Sequence, residues 1–364
     1  MLYPGNKGLF KRAIAESGTI AAWAVSHGHS NYESSIEFAK SVGCNNLANM
    51  SACLKGKSEA DVISATIKTE IGKVEEANRT WVPVFDDDFV LAKTPDILSE
   101  LLDSNMGSKY SNFWEVDLMI GANNYDGVVY QDLTMILLNN TTPTSINYKV
   151  SAQQFDKVIV PRALEAWLDE MPTTLAVDLT INEYMSWDDP ANSTKRLQNA
   201  IDIWTDYALN APIIQTTNAH LNNITSTYVY QFTASPPKHL LRIAPELDGE
   251  NVACHSDEIL FVFGFTETIR KYLNLSEEEV KSHYKLSKDV ITMWTNFAKT
   301  GNPNTPMSLN TLGSRSWPAY DVPGEKYLEI SSKLTEVKQR LRAEQVVFWN
   351  NLLPEMQAYA NSKS

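Results

Sequence analysis

Apolar positions along the chain fall into short unbroken runs and into longer stretches with helical spacing. Residues 8–18 read Gly-Leu-Phe-Lys-Arg-Ala-Ile-Ala-Glu-Ser-Gly, an apolar stretch that stops at a Ser-Gly turn signal and predicts a largely buried strand. Residues 116–122 form a second apolar run, which ends in Asn123-Asn124-Tyr125-Asp126-Gly127, the composition of a strand entering a functional loop. Residues 227–232 (Thr-Tyr-Val-Tyr-Gln-Phe) are β-branched and aromatic and predict a third strand. Residues 81–90 alternate poorly and contain Pro83, which suits an edge strand or an extended loop around an acidic turn.

Helical spacing of Ile, Phe, Ala and Val predicts helices at 34–42 and 58–69, with Ser58 as N-cap of the second. Further helices are expected around 201–209, over 276–301, where Gly301 and Pro303 supply the stop, and over 335–353. Strands alternating with helices argue for an α/β sheet, whose ligand groups sit on loops beyond the carboxyl ends of the strands. Asp126 falls on such a loop. No repeat or Gly/Ser linker marks a boundary, so residues 1–364 read as one domain.

Composition narrows the function classes. With 43% apolar residues the chain can bury a core, and a formal charge of -13 with no long basic run argues against a nucleic-acid partner. No run of about 18 uncharged apolar residues is present, so no membrane span is expected. The opening Met1-Leu2-Tyr3-Pro4-Gly5 lacks a basic region and a long apolar region, so no signal peptide is expected in this chain. Cys44 and Cys53 have a spacing compatible with a small disulfide loop or with two reduced thiols. Glycosylation sequons occur at Asn49, Asn78, Asn139, Asn140, Asn192, Asn223 and Asn274, a density that favours secretion.

His255 precedes an acidic pair and an aromatic-aliphatic run, so it reads either as a general base or as a structural hydrogen-bonding residue. Asp126 could hold that imidazole in one tautomer, or belong to a plain turn; acid before His is the order of α/β-hydrolases. Cys254 reads as a buried thiol rather than a nucleophile, because adjacent side chains rarely converge. His27 with His29 lacks further metal ligands, and Asp86-Asp87-Asp88 lacks the Gly and Glu of a calcium loop, so no metal is expected at either.

Seven segments in order resemble the carboxylesterase type B family, which includes carboxylesterases and cholinesterases. They are residues 8–18, Pro83-Val-Phe-Asp-Asp-Asp-Phe89, Ile120-Gly-Ala-Asn-Asn-Tyr-Asp-Gly127, His255-Ser-Asp-Glu-Ile-Leu-Phe-Val-Phe-Gly264, residues 294–304, Trp317-Pro-Ala-Tyr-Asp321 and Phe348-Trp-Asn350. The resemblance implies the C-terminal part of an α/β-hydrolase fold, a mostly parallel sheet flanked by helices without its N-terminal strands. It implies a serine esterase of small-molecule esters with no cofactor or metal, His255 as base, Asp126 where the family usually has Glu, a Cys44–Cys53 disulfide, and a secreted full-length protein.

Two departures qualify this. An Asp at the acid position is one methylene short, so Asp126→Glu is expected to be tolerated only if the loop shifts by about a bond length. The Gly-x-Ser-x-Gly elbow and the Gly-rich oxyanion loop do not occur in the 364 residues; Gly28-His29-Ser30-Asn31-Tyr32 lacks the closing Gly, and Ser17 reads as core or turn. The chain is therefore expected to be inactive by itself. A non-catalytic adhesion or binding protein with a protein partner, and a short pseudoenzyme, stand as alternatives. Phe261, Phe263 and the aromatics near Trp23 could line an acyl pocket, though core packing is the plainer account.

Overall fold

A computed structural model describes residues 1–19, 29–73, 101, 110–129, 149–168, 172–240, 251–307 and 316–363. The chain divides into two compact units, residues 23–97 and a second formed by 1–22 with 98–364. The first holds α1 (His29–Ser41), α2 (Met50–Lys55) and α3 (Glu59–Lys73). Ser58 Oγ accepts the Asp61 N–H at the start of α3, as its place in the sequence predicts. Cys44 and Cys53 are joined in a disulfide. The segment at 81–90 lies outside the described residues, as do Asn78, Asp86, Asp87 and Asp88.

The larger unit is built on a five-stranded mixed sheet in the order β1 (Arg12–Glu16), β2 (Asp117–Asn123), β3 (Thr227–Phe232), β4 (Lys326–Ile330) and β5 (Glu336–Gln339). The first four strands are parallel and β5 is antiparallel to β4. This is consistent with an α/β-hydrolase fold. The helices flanking it include α4 (Val160–Leu168), α5 (Thr174–Tyr184), α6 (Ser193–Thr205), α7 (Ala211–His220), α8 (Asp257–Val262), α9 (Glu267–Leu273), α10 (Glu277–Lys281), α11 (Tyr284–Thr300), α12 (Ala343–Val347) and α13 (Leu353–Asn361).

β2 and β3 are buried almost throughout, which is why they read as continuous apolar runs rather than alternating ones. Register places Met119 beside Tyr228 and Gly121 beside Tyr230. Tyr228, Tyr230 and Phe232 on that face pack into a core with Leu260, Phe261, Val290, Met293, Trp294, Phe297 and Trp317. Gly121 has no room for a side chain, since a Cβ there would lie 2.4 Å from the Tyr230 ring. α7 packs on β2 and β3, while α11 lies against β1.

Two sequence expectations fail here. Residues 276–301 are not one helix: α10 ends at Lys281, and α11 starts afresh at Tyr284. Residues 335–353 begin as a strand, because Glu336–Gln339, helix formers by composition, pair with β4 at the sheet edge, and tertiary pairing outweighs a weak local preference.

Candidate functional site

β2 delivers the chain into the loop that carries Asp126, and the backbone there is held tightly. Gly127 N–H donates to Thr205 Oγ1 at 2.9 Å. A Cβ on Gly127 would lie 2.4 Å from the Ile201 carbonyl oxygen and 2.6 Å from the Thr205 nitrogen, so only glycine lets this turn seat on α6.

Residues 251–255 run alongside the same loop. Tyr125 N–H donates to the Ala253 carbonyl at 3.0 Å, and Ala253 N–H to Asn124 Oδ1 at 3.0 Å. Asn123 Nδ2 donates to the Cys254 carbonyl at 2.7 Å. After His255 the backbone turns at Ser256, whose φ is 71°, and α8 begins at Asp257.

This lacing brings Asp126 and His255, 129 positions apart in sequence, to 2.8 Å between Oδ1 and Nδ1. A carboxylate only accepts, so Nδ1 carries the hydrogen and Nε2 is left as the basic nitrogen of the neutral ring. Asp126 is fully buried, whereas the imidazole keeps 39% of its side-chain surface exposed. The second oxygen of Asp126 accepts the Asn123 backbone N–H and the Ser17 hydroxyl, each at 2.7 Å.

Ser17, read from sequence as core or turn, thus follows β1 in the left-handed region at φ 51° and donates its hydroxyl to Asp126. A serine held at positive φ directly after a strand is a signal that composition does not expose.

Sequence reasoning also missed Glu258. It lies 3% exposed beneath the loop, and Asn123 Nδ2 donates to its carboxylate. Burial, and then the negative charge of Asp126, push its pKa up to about 7. Tyr230 is fully buried nearby, its hydroxyl makes no hydrogen bond among the described residues, and burial with the charges of Glu258, Glu16 and Asp126 holds the phenol well above its ordinary pKa.

The other candidates separate from this centre. Phe261 is a core residue whose ring meets Phe232 at a tilt and Phe265 edge-on, and Phe263 is 69% exposed. Cys254 is fully buried and forms no disulfide. Trp23 and His27 lie outside the described residues, as do Asn139 and Asn140; His29 opens α1. Asn49, Asn223 and Asn274 are exposed. Asn192 caps α6: its Oδ1 accepts two backbone N–H groups while Nδ2 donates to Asp189. No helix among the described residues is long and apolar enough to cross a membrane.

The model of the Carboxylesterase family matches residues 1–349. Neuroligin-3 of Mus musculus is 28% identical over 366 residues, covering 96% of this chain and 40% of that protein. Neuroligin-3 of Homo sapiens is likewise 28% identical, with 96% and 39% covered. Carboxylesterase 1E of Mus musculus is 30% identical over 368 residues, covering 98% of this chain and 58% of that protein. The chain thus spans 39% to 58% of the length of these relatives.

Proposed function

Since the chain belongs to the carboxylesterase family, we propose that Asp126 and His255 are the acid and base of an ester-hydrolysing triad whose serine lies outside these 364 residues. The observation that carries this reading is the 2.8 Å contact between a fully buried carboxylate and a partly exposed imidazole. In that role Asp126 holds the imidazole with Nε2 as its basic nitrogen. His255 takes the proton from the serine hydroxyl as it attacks the ester carbonyl, and returns it to the departing alcohol; water then repeats the cycle on the acyl-enzyme. Asp126 stabilises the imidazolium formed in each half-reaction. Ser17 and Asn123 position Asp126 through its other oxygen.

The substrate class is a small carboxylic ester, and no cofactor is needed for this chemistry. Secretion of the whole protein is supported by the Cys44–Cys53 disulfide and by the exposed sequons at Asn49, Asn223 and Asn274. A second reading, a non-catalytic adhesion or binding protein, is supported by the likeness to neuroligin-3.

The test is a short-chain ester assay on residues 1–364 and on the product of the transcript extended upstream. We expect no enzyme-like turnover from 1–364, since loss of the nucleophile removes about six orders of magnitude. Turnover by the extended protein, abolished by His255→Ala, is expected on the esterase reading. An upstream elbow in which another residue replaces Ser would overturn that reading in favour of adhesion. Turnover by 1–364 that His255→Ala abolishes would show that the nucleophile lies within these residues.

A further inference from the structure

Behind the loop that carries His255 lies a second group of side chains that ester hydrolysis does not use. His239, Cys254 and Asp257 place one ligand atom each within 4.8 Å of one another. Cys254 and Asp257 are fully buried and the His239 side chain is 10% exposed. We propose that these three residues bind a thiophilic divalent cation of the zinc class, and so tie the segment at His239 to the turn that presents His255.

The geometry is built rather than incidental. Asp257 Oδ1 accepts the Leu240 N–H at 2.9 Å and Oδ2 accepts the Cys254 N–H at 2.7 Å, which fixes the carboxylate plane. His239 Nδ1 already makes a hydrogen bond to Oδ2. The turn at Ser256, with φ 71°, brings Cys254 and Asp257 to the same side. The ion takes the place of the hydrogen between His239 and Asp257. Bonds of about 2.0 Å to nitrogen and oxygen and about 2.3 Å to sulfur require the nitrogen and oxygen to part by less than a bond length and the sulfur, within 4.8 Å of them, to draw in by about 1 Å.

The proton balance is simple. The thiol of Cys254 loses one proton to solvent, and the hydrogen on His239 Nδ1 moves to Nε2 as Nδ1 becomes a ligand. A dication with a thiolate and a carboxylate is neutral, so occupancy leaves no uncompensated charge in a buried place. Thiolate, imidazole and carboxylate together suit zinc-class ions, whereas calcium and magnesium call for oxygen donors throughout. Water would complete the tetrahedron.

Cadmium is the probe, because its bond to thiolate gives an ultraviolet charge-transfer band. With the Cys44–Cys53 disulfide intact, Cys254 is the only remaining thiol. We expect the metal-stripped chain to take up one equivalent of cadmium with that band and to release one proton. Zinc is expected to displace the cadmium and calcium not to. Cys254→Ser should abolish the band, and His239→Gln, which can still hydrogen bond to Asp257, should weaken binding by about tenfold or more. Circular dichroism of both variants checks that each remains folded. Absence of the band in the wild-type chain would overturn the proposal, and so would a band whose affinity is unchanged in His239→Gln, since the thiol would then be acting alone.

Discussion

Asp126 shows how much of the candidate centre is decided by hydrogen bonds around one residue. Its two oxygens meet three donors, from Ser17, Asn123 and His255, so its position is over-determined before any substrate is considered. Glu258 beneath it has the opposite character. Its folded pKa of about 7 stands above the ordinary 4.5, so the folded state binds the extra proton between those values. Stability from this group is fully present below about pH 4.5 and is lost as pH rises through 7, by a total on the order of 3 kcal/mol. Glu258→Gln keeps an acceptor for Asn123 and removes the titration. Urea midpoints at pH 5 and pH 8 check this: the variant is expected to match wild type at the lower pH and exceed it at the higher. Equal differences at both would show that Glu258 does not carry the linkage.

The elements carry the site through two close approaches. At Gly127 the turn after β2 meets the backbone of α6, with no space for a Cβ. Gly127→Ala is therefore expected to cost about 1–3 kcal/mol, toward the upper end because backbone rather than a flexible side chain must yield. Thermal unfolding measures it, and a variant as stable as wild type would show that α6 can shift. β2 and β3 were legible because a buried parallel strand is a local apolar run, whereas β1, read from the sequence as largely buried, is half-buried throughout. β4 and β5 were not legible, since Lys326–Ile330 and Glu336–Gln339 become strands through pairing with each other and with β3. The break between α10 and α11 was equally hidden, because residues on both sides have helical spacing.

For the whole molecule the exposed feature is the edge of the sheet. β1 has a neighbour on one side only among the described residues, and its residues Arg12–Glu16 are half-buried, whereas β5 at the opposite edge is mostly charged and polar. An apolar edge with unpaired backbone groups recruits other chains. Residues 1–364 alone are expected to associate as concentration rises, which light scattering after size-exclusion chromatography measures; a monomer across micromolar concentrations would contradict it. Family and sheet class were readable along the chain, because each rests on local patterns of residue types; the spacing of Cys44 and Cys53 left their pairing open, and the disulfide followed from the family resemblance alone. Ser17 beneath Asp126, the raised pKa of Glu258, the capping duty of Asn192 and the meeting of His239 with Cys254 and Asp257 were not readable. Each depends on which distant segments share a buried space, and burial and hydrogen bonding across such distances are set by how the strands and helices pack.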